Sequence, residues 1–208
     1  FALTMVFWKK FALGREDLST KKDAGRAEGT ETASDMEISR KIEMPQEIER
    51  TREIITELYV PMKGQVLDVG QSADEVFASK ALGDGVAINP AEGMVCAPCD
   101  GTISLLFPTK HAVGITSETG VEVLIHIGIN TVQLDGQGFE AFVAQGDKVK
   151  KGNKLIAADL DLIREKGLNP QTMMILPEGG NLDVTVYPGG QADSGDLAVK
   201  AVKTVKTA

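Results

Sequence analysis

The sequence predicts an all-β domain, built as an antiparallel β-sandwich or barrel-sandwich hybrid with one or two short helices. From Tyr59 onward, glycines recur at short intervals and separate brief apolar runs. Short strands divided by turn residues in this way are typical of sandwiches and barrels. A weak internal repeat, Pro61-Met-Lys-Gly64 and Pro98-Cys-Asp-Gly101, supports the prediction because each copy is a turn that enters a strand.

The chain divides into four predicted parts, of which residues 1–12 are the first. They open with a largely apolar octet that ends at Trp8 and is followed by Lys9 and Lys10. An octet cannot cross a bilayer, which needs about 20 residues. A Trp followed by lysines is nevertheless typical of the cytoplasmic end of a transmembrane helix. We interpret residues 1–12 as the end of a truncated membrane helix, and a free apolar terminus is the alternative.

Residues 13–57 form the second part and are predicted to be a flexible charged linker. They are rich in Ser, Thr, Glu, Lys and Arg and contain no aromatic residue. A segment of this composition buries too little apolar area to offset the entropy that is lost on ordering. A frayed helix over Pro45–Leu58 is a further expectation.

Residues 58–178 are predicted to be the globular domain, and the role of the C-terminal segment, 179–208, stays open. Within the domain, short helices are predicted at Gly138–Ala144 and Leu160–Lys166. The net charge of −8 and the pI of about 4.9 make the chain a poor binder of nucleic acid, whose phosphates need a basic face. A protein partner with a basic patch fits this charge better.

The two cysteines, Cys96 and Cys99, form a Cys-Ala-Pro-Cys motif. Such a pair can be a redox couple or half of a zinc site, but the sequence has no further cysteine to complete a site. We interpret both cysteines as structural thiols and expect a reducing compartment.

The only histidines, His111 and His126, flank the polar turn Ser117-Glu-Thr-Gly120. Apolar runs on both sides of this turn predict a β-hairpin. If the turn is centred between Glu118 and Thr119, the two histidines lie directly opposite each other, with Cβ atoms about 4.5–5.5 Å apart. The two rings could then share one small ligand.

Alternation along the two strands predicts what surrounds the pair. Leu124 shares a face with His126, Val113 shares a face with His111, and the side that runs through Ile125 should face the core. The histidine face is then apolar around a polar centre, which is typical of a protein docking site.

Two opposed imidazoles suit three chemistries, and spacing leaves all three open. One ring can be a nucleophile while the other stabilises the negative charge of the transferred group. Both can ligate zinc if a third protein ligand is present. They can also form a pH switch. Packed or surface histidines without a chemical role are the remaining alternative.

Six segments carry a family resemblance. They are Val76-Phe77-Ala, Gly83-Asp-Gly-Val-Ala-Ile, Pro98-x-x-Gly-Thr-Ile, Thr109-x-His111-Ala, Val121-Glu-Val-Leu-Ile-His126-Ile-Gly-Ile-Asn-Thr-Val132 and Gly146-Asp-x-Val-x-x-Gly152. Together they resemble the enzyme IIA domain of the glucose and β-glucoside superfamily, part of the bacterial phosphoenolpyruvate-dependent sugar phosphotransferase system. The resemblance runs from about Tyr59 to at least Ile175, and it implies an antiparallel β-sandwich or hybrid barrel.

The resemblance also implies residue roles and partners. It makes His126 the nucleophile that accepts phosphate, His111 the helper that binds the phosphoryl oxygens, and Thr109 a member of the active-site hydrogen-bond network. It implies a phosphotransferase that needs no metal and no cofactor. The phosphoryl group would come from the histidine-containing phosphocarrier protein. It would go to a cysteine of a IIB domain, for uptake of a β-glucoside or glucose-class sugar.

Other positions are expected to take part in docking these partners. They are Phe77, Asp74, Val113, Leu124, Val132 and Asn130. The family usually has Asp where this chain has Asn130, so one negative charge beside the site is missing. Members of the β-glucoside branch carry IIB, IIC and IIA domains in one chain. The resemblance therefore implies that residues 1–12 end a IIC-like membrane domain and that the IIA domain lies at the cytoplasmic face of the bacterial cell membrane.

Three other interpretations remain open beside this one. A biotinyl or lipoyl carrier domain has a similar turn style, but it needs a lysine at a hairpin tip, and Met173-Met174 has no lysine beside it. A zinc peptidase of a related hybrid barrel needs further ligand histidines. A binding module that regulates other proteins through its phosphorylation state is compatible with the family resemblance.

Overall fold

The computed structural model describes residues 50–177 and 182–207, which form antiparallel sheets and two short α-helices. The strands are β1 (Arg50–Tyr59), β2 (Gly64–Asp68), β3 (Asp84–Pro90), β4 (Met94–Cys96), β5 (Gly101–Leu106), β6 (Ala112–Ser117), β7 (Glu122–His126), β8 (Phe139–Ala141), β9 (Lys148–Val149), β10 (Lys154–Ala158), β11 (Thr172–Leu176), β12 (Leu182–Val186), β13 (Gly190–Ala192) and β14 (Leu197–Thr207). The helices are α1 (Glu75–Ala78) and α2 (Leu160–Glu165), and 3-10 helices run over Val69–Gln71 and Thr131–Leu134.

The central sheet has eight strands in the order β13-β2-β3-β11-β7-β6-β5-β9, and β4-β10-β8 and β1-β14-β12 form two smaller sheets. Side chains alternate across the central sheet, so one of its faces lines the hydrophobic core. One row of this core face crosses four neighbouring strands through Val86, Met174, Ile125 and Val113, all 0% exposed.

The opposite face of the same four strands carries the row Ala87, Met173, His126 and Ala112. Ala87, Met173 and Ala112 are buried, whereas His126 is half-buried. An imidazole therefore lies among small and apolar neighbours at the middle of the sheet, on the side away from the core.

The predicted fold class is confirmed, since the described residues form antiparallel sheets with two short α-helices. None of the three sheets closes into a barrel within these residues. The helix predicted at Leu160–Lys166 is present as α2. The helix predicted at Gly138–Ala144 is wrong, because β8 occupies this stretch, pairs with β10, and alternates a buried Phe139 with an exposed Glu140.

Helix α1 is an element that the sequence analysis does not predict. Asp74 begins it, because its carboxylate accepts hydrogen bonds from the backbone N–H groups of Val76 and Phe77, at 2.9 and 3.4 Å. The side-chain oxygen of Gln171 accepts from the Ala73 backbone and so fixes the loop that leads into the helix. A helix of four residues has too little periodicity to be read from sequence.

Strand β1 shows the period of two that a half-buried strand requires. Thr56 and Leu58 are buried, while Ile55 and Glu57 are exposed. Strand β14, from the other end of the chain, lies beside β1 and pairs with it.

Two predictions for the N-terminal part are therefore corrected. The linker over 13–57 and the frayed helix over Pro45–Leu58 are wrong for residues 50–57, which belong to β1. The predictions for residues 1–49 lie outside the described residues. Among the helices that the structure describes, none has the length and apolar character needed to cross a membrane.

The C-terminal segment, whose role the sequence left open, adds strands to two sheets. Strand β12 pairs with β14 beside β1, and β13 extends the central sheet next to β2. Val199 and Ala201 of β14 are fully buried in the core. These residues therefore contribute to the fold of the domain.

Both cysteines are free thiols, with Cys96 half-buried and Cys99 buried. Burial, assisted by the charges of Asp100 and Glu118, raises the pKa of Cys99 to about 11. This thiol stays protonated at neutral pH, which is typical of a structural cysteine rather than a redox nucleophile.

Gly83→Ala is expected to destabilise the domain strongly. Gly83 has φ +130°, and a Cβ added there would lie 1.9 Å from the carbonyl oxygen of Leu176 in β11. We expect a loss of about 2–4 kcal/mol of unfolding free energy, measured by thermal or urea unfolding. Gly189→Ala is the control, because no atom lies within 4 Å of its added Cβ, and it should change stability by about 0.5 kcal/mol or less. Equal melting temperatures for the two variants would contradict this close backbone approach.

Candidate functional site

The two histidine rings meet on the face of the central sheet that turns away from the core. His126 ends β7, and His111 immediately precedes β6. Their ring centroids lie 5.1 Å apart with the rings edge to face, at an interplanar angle of 80°. The expectation that the two imidazoles come together is thus met.

The predicted pairing register, however, is wrong by one residue. Ala112, not His111, lies opposite His126 in the ladder. The hairpin closes between Ser117 and Val121 around three loop residues, the last of which, Gly120, has φ +79°. A three-residue loop with a left-handed glycine is a common hairpin connection, and its odd length shifts the register from the one that an even loop gives.

His111 reaches the site because it lies outside the regular ladder. The preceding Lys110 adopts a left-handed conformation, φ 56°, in a turn closed by its backbone N–H and the carbonyl of Phe107. The His111 carbonyl still accepts a hydrogen bond from the backbone of Ile127. This irregular turn brings the His111 ring beside His126 although the two residues are not paired.

The register shift also reverses one predicted face. Val113 is 0% exposed and packs in the hydrophobic core with Ile115, so its predicted place on the docking face is wrong. A slip of one residue moves every side chain of a strand to the other face. Leu124 does lie on the histidine side, two residues before His126, and is 6% exposed.

Thr109 bonds the second imidazole as expected. Its Oγ1 lies 2.6 Å from Nδ1 of His111. When the hydroxyl donates this hydrogen bond, the His111 proton resides on Nε2, which leaves a donor for a bound oxygen. Nε2 of His111 and Nδ1 of His126 are buried and have no hydrogen-bond partner among the described residues. Unpaired buried polar atoms are costly, so a ligand that accepts a hydrogen bond from Nε2 of His111 is favoured.

Both rings are held in the neutral form. Burial, together with the charge of His126, lowers the pKa of His111 to about 3. Burial lowers the pKa of His126 to about 4, against a smaller opposing effect of the Gly128 backbone. At pH 7 each ring therefore keeps a lone pair on one nitrogen, which is the form that a nucleophile needs.

We expect neither histidine to titrate between pH 8 and pH 5. The carbon-bound ring protons, followed by NMR, should show midpoints for His111 and His126 near or below 4, not near the ordinary value of 6.5. Both folded-state pKa values lie below that of histidine in the unfolded chain. The free energy of unfolding is therefore not reduced by these two groups above pH 6.5, and it declines as the pH falls from 6.5 towards 4. A midpoint near 6.5 for either ring would contradict the burial of the pair.

Aromatic rings flank the pair on both sides. The Phe77 ring in α1 lies 5.3 Å from the His126 ring, and the Phe107 ring lies 5.2 Å from the His111 ring, both as centroid distances. Phe77 is 7% exposed, so its ring is held inside the fold beside His126. This apolar wall strengthens the desolvation that keeps both imidazoles neutral.

The remaining predicted docking residues differ in their surroundings. Asp74, predicted as a docking residue, is 7% exposed, and its carboxylate caps α1, so little of it is available to a partner. Asn130 is half-buried, has φ 62°, and makes no side-chain capping bond. Val132 is half-buried in the 3-10 helix that follows β7.

Two residues near the pair were missed by the sequence analysis. Phe107 begins the turn that also carries Thr109, and its ring lies 5.2 Å from the His111 ring. Thr131 is 0% exposed, and its hydroxyl donates to the backbone that follows His126. Within the described residues, no group of three or more His, Cys, Asp or Glu side chains is placed to hold a metal ion.

Comparison with known proteins connects this geometry to a family. The family model for the phosphoenolpyruvate-dependent sugar phosphotransferase system, EIIA 1, matches residues 56–181. A solved structure, glucose permease IIA from Mycoplasma capricolum, superposes with a TM-score of 0.65 at 39% identity, covering 71% of this chain and 96% of that chain. The region matched by the family model contains both histidines and the four neighbouring strands β3, β11, β7 and β6.

Curated relatives agree with the family match. The glucose-specific EIIA component of Bacillus cereus is 49% identical over 119 residues, which are 57% of this chain and 72% of that protein. The glucoside-specific EIICBA component of Staphylococcus carnosus (strain TM300) is 40% identical over 150 residues, which are 70% of this chain. The chain spans only 22% of the length of this second relative. With its histidine pair inside the matched region, the chain belongs to the EIIA 1 family of phosphotransferase components in the phosphoenolpyruvate-dependent sugar phosphotransferase system.

Proposed function

We propose that His126 accepts a phosphoryl group from the histidine-containing phosphocarrier protein and passes it to a cysteine of a IIB domain. The observation that carries this proposal is the pair of neutral imidazoles, 5.1 Å apart, in which Nε2 of His111 is buried without a hydrogen-bond partner among the described residues. Membership of the EIIA family supports phosphoryl transfer as the chemistry of the site.

Nε2 of His126 is the nucleophilic atom in this proposal. Nδ1 is buried near its own backbone and lies out of reach of an approaching protein. The lone pair of Nε2 attacks phosphorus in line with the bond to the donor imidazole. The new N–P bond forms while the donor N–P bond breaks, and its electron pair leaves with the donor ring.

His111 stabilises the transferred group in this mechanism. With its proton on Nε2 and Thr109 bonded to Nδ1 at 2.6 Å, it donates a hydrogen bond to a phosphoryl oxygen. The donor is fixed before the reaction, so little reorganisation is needed when negative charge reaches the site. The hydrogen bond also gives a partner to Nε2 of His111, which is buried and otherwise unpaired.

The surface around the pair supports docking of a protein rather than a free phosphate ester. Phe77 and Leu124 place apolar side chains beside His126, where each keeps a small exposed fraction, 7% and 6%. Val132 and Asn130 follow β7, and the amide of Asn130 is free to bond a partner because it caps nothing. The net charge of −8 favours a partner with a basic face.

We further infer that the domain works with IIB and IIC partner domains in uptake of a glucose- or glucoside-class sugar. Support comes from the names of the relatives, which are glucoside-specific and glucose-specific EIICBA components and glucose-specific EIIA components. In this proposal the domain acts at the cytoplasmic face of the cell membrane, next to the IIC domain.

Phosphorylation with radiolabelled phosphoenolpyruvate tests the proposed function. The chain is incubated with the two general transfer proteins of the system, and the label is mapped by mass spectrometry. We expect one phosphate per chain, bound to His126 and lost in acid but not in base. A chain that stays unlabelled, or that carries its label on another residue, would refute the proposal.

A further inference from the structure

Thr131 places a fully buried hydroxyl directly behind the His126 loop. The side chain is 0% exposed. Its Oγ1 donates to the carbonyl of Ile127 at 2.5 Å and lies 3.4 Å from the carbonyl of Gly128. Both contacts fall on carbonyl groups of the two residues that follow His126.

The loop that Thr131 holds has an unusual backbone. Gly128 and Asn130 both adopt left-handed conformations, with φ 73° and 62°. A Cβ added to Gly128 would lie 2.4 Å from Cγ2 of Thr131, so the two residues are in close contact. Such backbone persists where its surroundings determine it, and here the Thr131 hydroxyl and methyl are those surroundings.

The Gly128 carbonyl is the group that this loop presents to the His126 ring. A backbone hydrogen bond of Gly128 favours protonation of the imidazole, as an acceptor does. Nδ1 is the ring nitrogen nearest to the backbone, and it is buried without a partner at normal hydrogen-bond geometry. The contact therefore falls outside normal hydrogen-bond geometry in this structure, as catalytic hydrogen bonds often do before the partner binds.

We propose that Thr131 is a positioning residue, which rests on the phosphoryl acceptance assigned to His126 above. By fixing the carbonyls of Ile127 and Gly128, Thr131 keeps the single proton of neutral His126 on Nδ1. The lone pair then lies on Nε2, where the phosphoryl group arrives. Without the hydroxyl, the loop relaxes, the acceptor moves away from Nδ1, and the two neutral tautomers become closer in free energy.

Nitrogen NMR of the histidine-labelled chain tests this directly, because the shifts of the two ring nitrogens report which one carries the proton. In the wild-type chain we expect the proton of His126 on Nδ1. Thr131→Val, which keeps the shape and removes the hydroxyl, should give averaged shifts from mixed tautomers. Thr131→Ser, which keeps the hydroxyl, should restore the wild-type pattern.

Phosphoryl acceptance provides the second readout. T131V should accept phosphate about 3- to 10-fold more slowly at saturating phosphocarrier protein, the effect of one neutral hydrogen bond. The KM for the carrier should be unchanged because Thr131 is buried. Thr172→Val is the matched control, since Thr172 is also 0% exposed and its hydroxyl donates to a backbone carbonyl, that of Pro170. T172V should keep both the tautomer and the rate.

The outcomes separate this proposal from the proposed function. A proton on Nε2 of His126 in the wild-type chain overturns the role of Thr131, whether or not the variants fold. A folded T131V with wild-type shifts and rate overturns it as well. If the wild-type chain takes up no phosphate, the proposed function fails, while the tautomer measurement still decides what Thr131 does.

Discussion

Replacing His126 with alanine is expected to abolish phosphoryl acceptance. The nucleophile is lost, and the neighbouring imidazole is a poor replacement, because His111 is 0% exposed and its Nδ1 is bonded to Thr109. The rate should fall below detection, a loss of at least about 10⁴-fold, as is usual when the nucleophile of a covalent mechanism is removed. The measurement is transfer of label from phosphoenolpyruvate through the two general transfer proteins.

The control for this variant comes from the same strand and the same face. Glu122 lies four residues before His126 in β7, and its carboxylate accepts a hydrogen bond from Thr116 at 2.7 Å. Glu122→Gln should fold and accept phosphate within about 3-fold of the wild-type rate, since it makes no contact with either imidazole. Label that persists on His126→Ala at the wild-type level would show that another residue is the acceptor.

Sequence reasoning identified the histidine pair because His111 and His126 come close together even when the register of the hairpin is only approximately known. A hairpin with any short turn near Ser117 to Gly120 brings His111 and His126 within a few ångströms, so an error of one residue did not separate them. The same error did matter for Val113, because neighbouring residues of a strand face opposite ways. The deciding feature was the left-handed Gly120, which closes a loop of odd length.

Other elements depend on contacts that sequence alone does not contain. β1 carries four charged residues among its ten, and its pairing comes from β14 at the far end of the chain. Helix α1 exists because Asp74 caps it and Gln171, nearly a hundred residues later, fixes the preceding loop. Both elements are products of tertiary structure rather than of local propensity.

The assignment of Asp74 shows how the same residue type has two meanings. An acidic residue next to Phe77 resembles a docking charge when only its sequence position is known. In the fold its carboxylate accepts hydrogen bonds from the backbone N–H groups of Val76 and Phe77. It therefore acts on the site indirectly, because it begins the helix that holds the Phe77 ring 5.3 Å from the His126 ring.

His111→Ala is expected to separate the two halves of the transfer reaction. Phosphate should still reach His126, because the nucleophile and its neutral state remain. Onward transfer to the IIB cysteine should slow about 10- to 100-fold, since a hydrogen bond to a charged phosphoryl group contributes roughly 1.5–3 kcal/mol and each 1.36 kcal/mol is a factor of ten in rate. Rapid-quench measurements of label leaving His126 would resolve this step.

Two further variants test whether the effect of His111 comes from the proton on its Nε2. His111→Gln offers an amide donor near the position of Nε2, so it should recover part of the lost rate. Thr109→Val keeps the imidazole but removes the hydroxyl that lies 2.6 Å from Nδ1, so the proton is free to move to Nδ1 and the donor is only partly lost. We therefore expect the order of onward rates to be wild type, then T109V, then H111Q, then H111A. A chain in which H111A transfers as fast as wild type, or in which T109V is slower than H111A, would mean that His111 does not hold the phosphoryl group through Nε2.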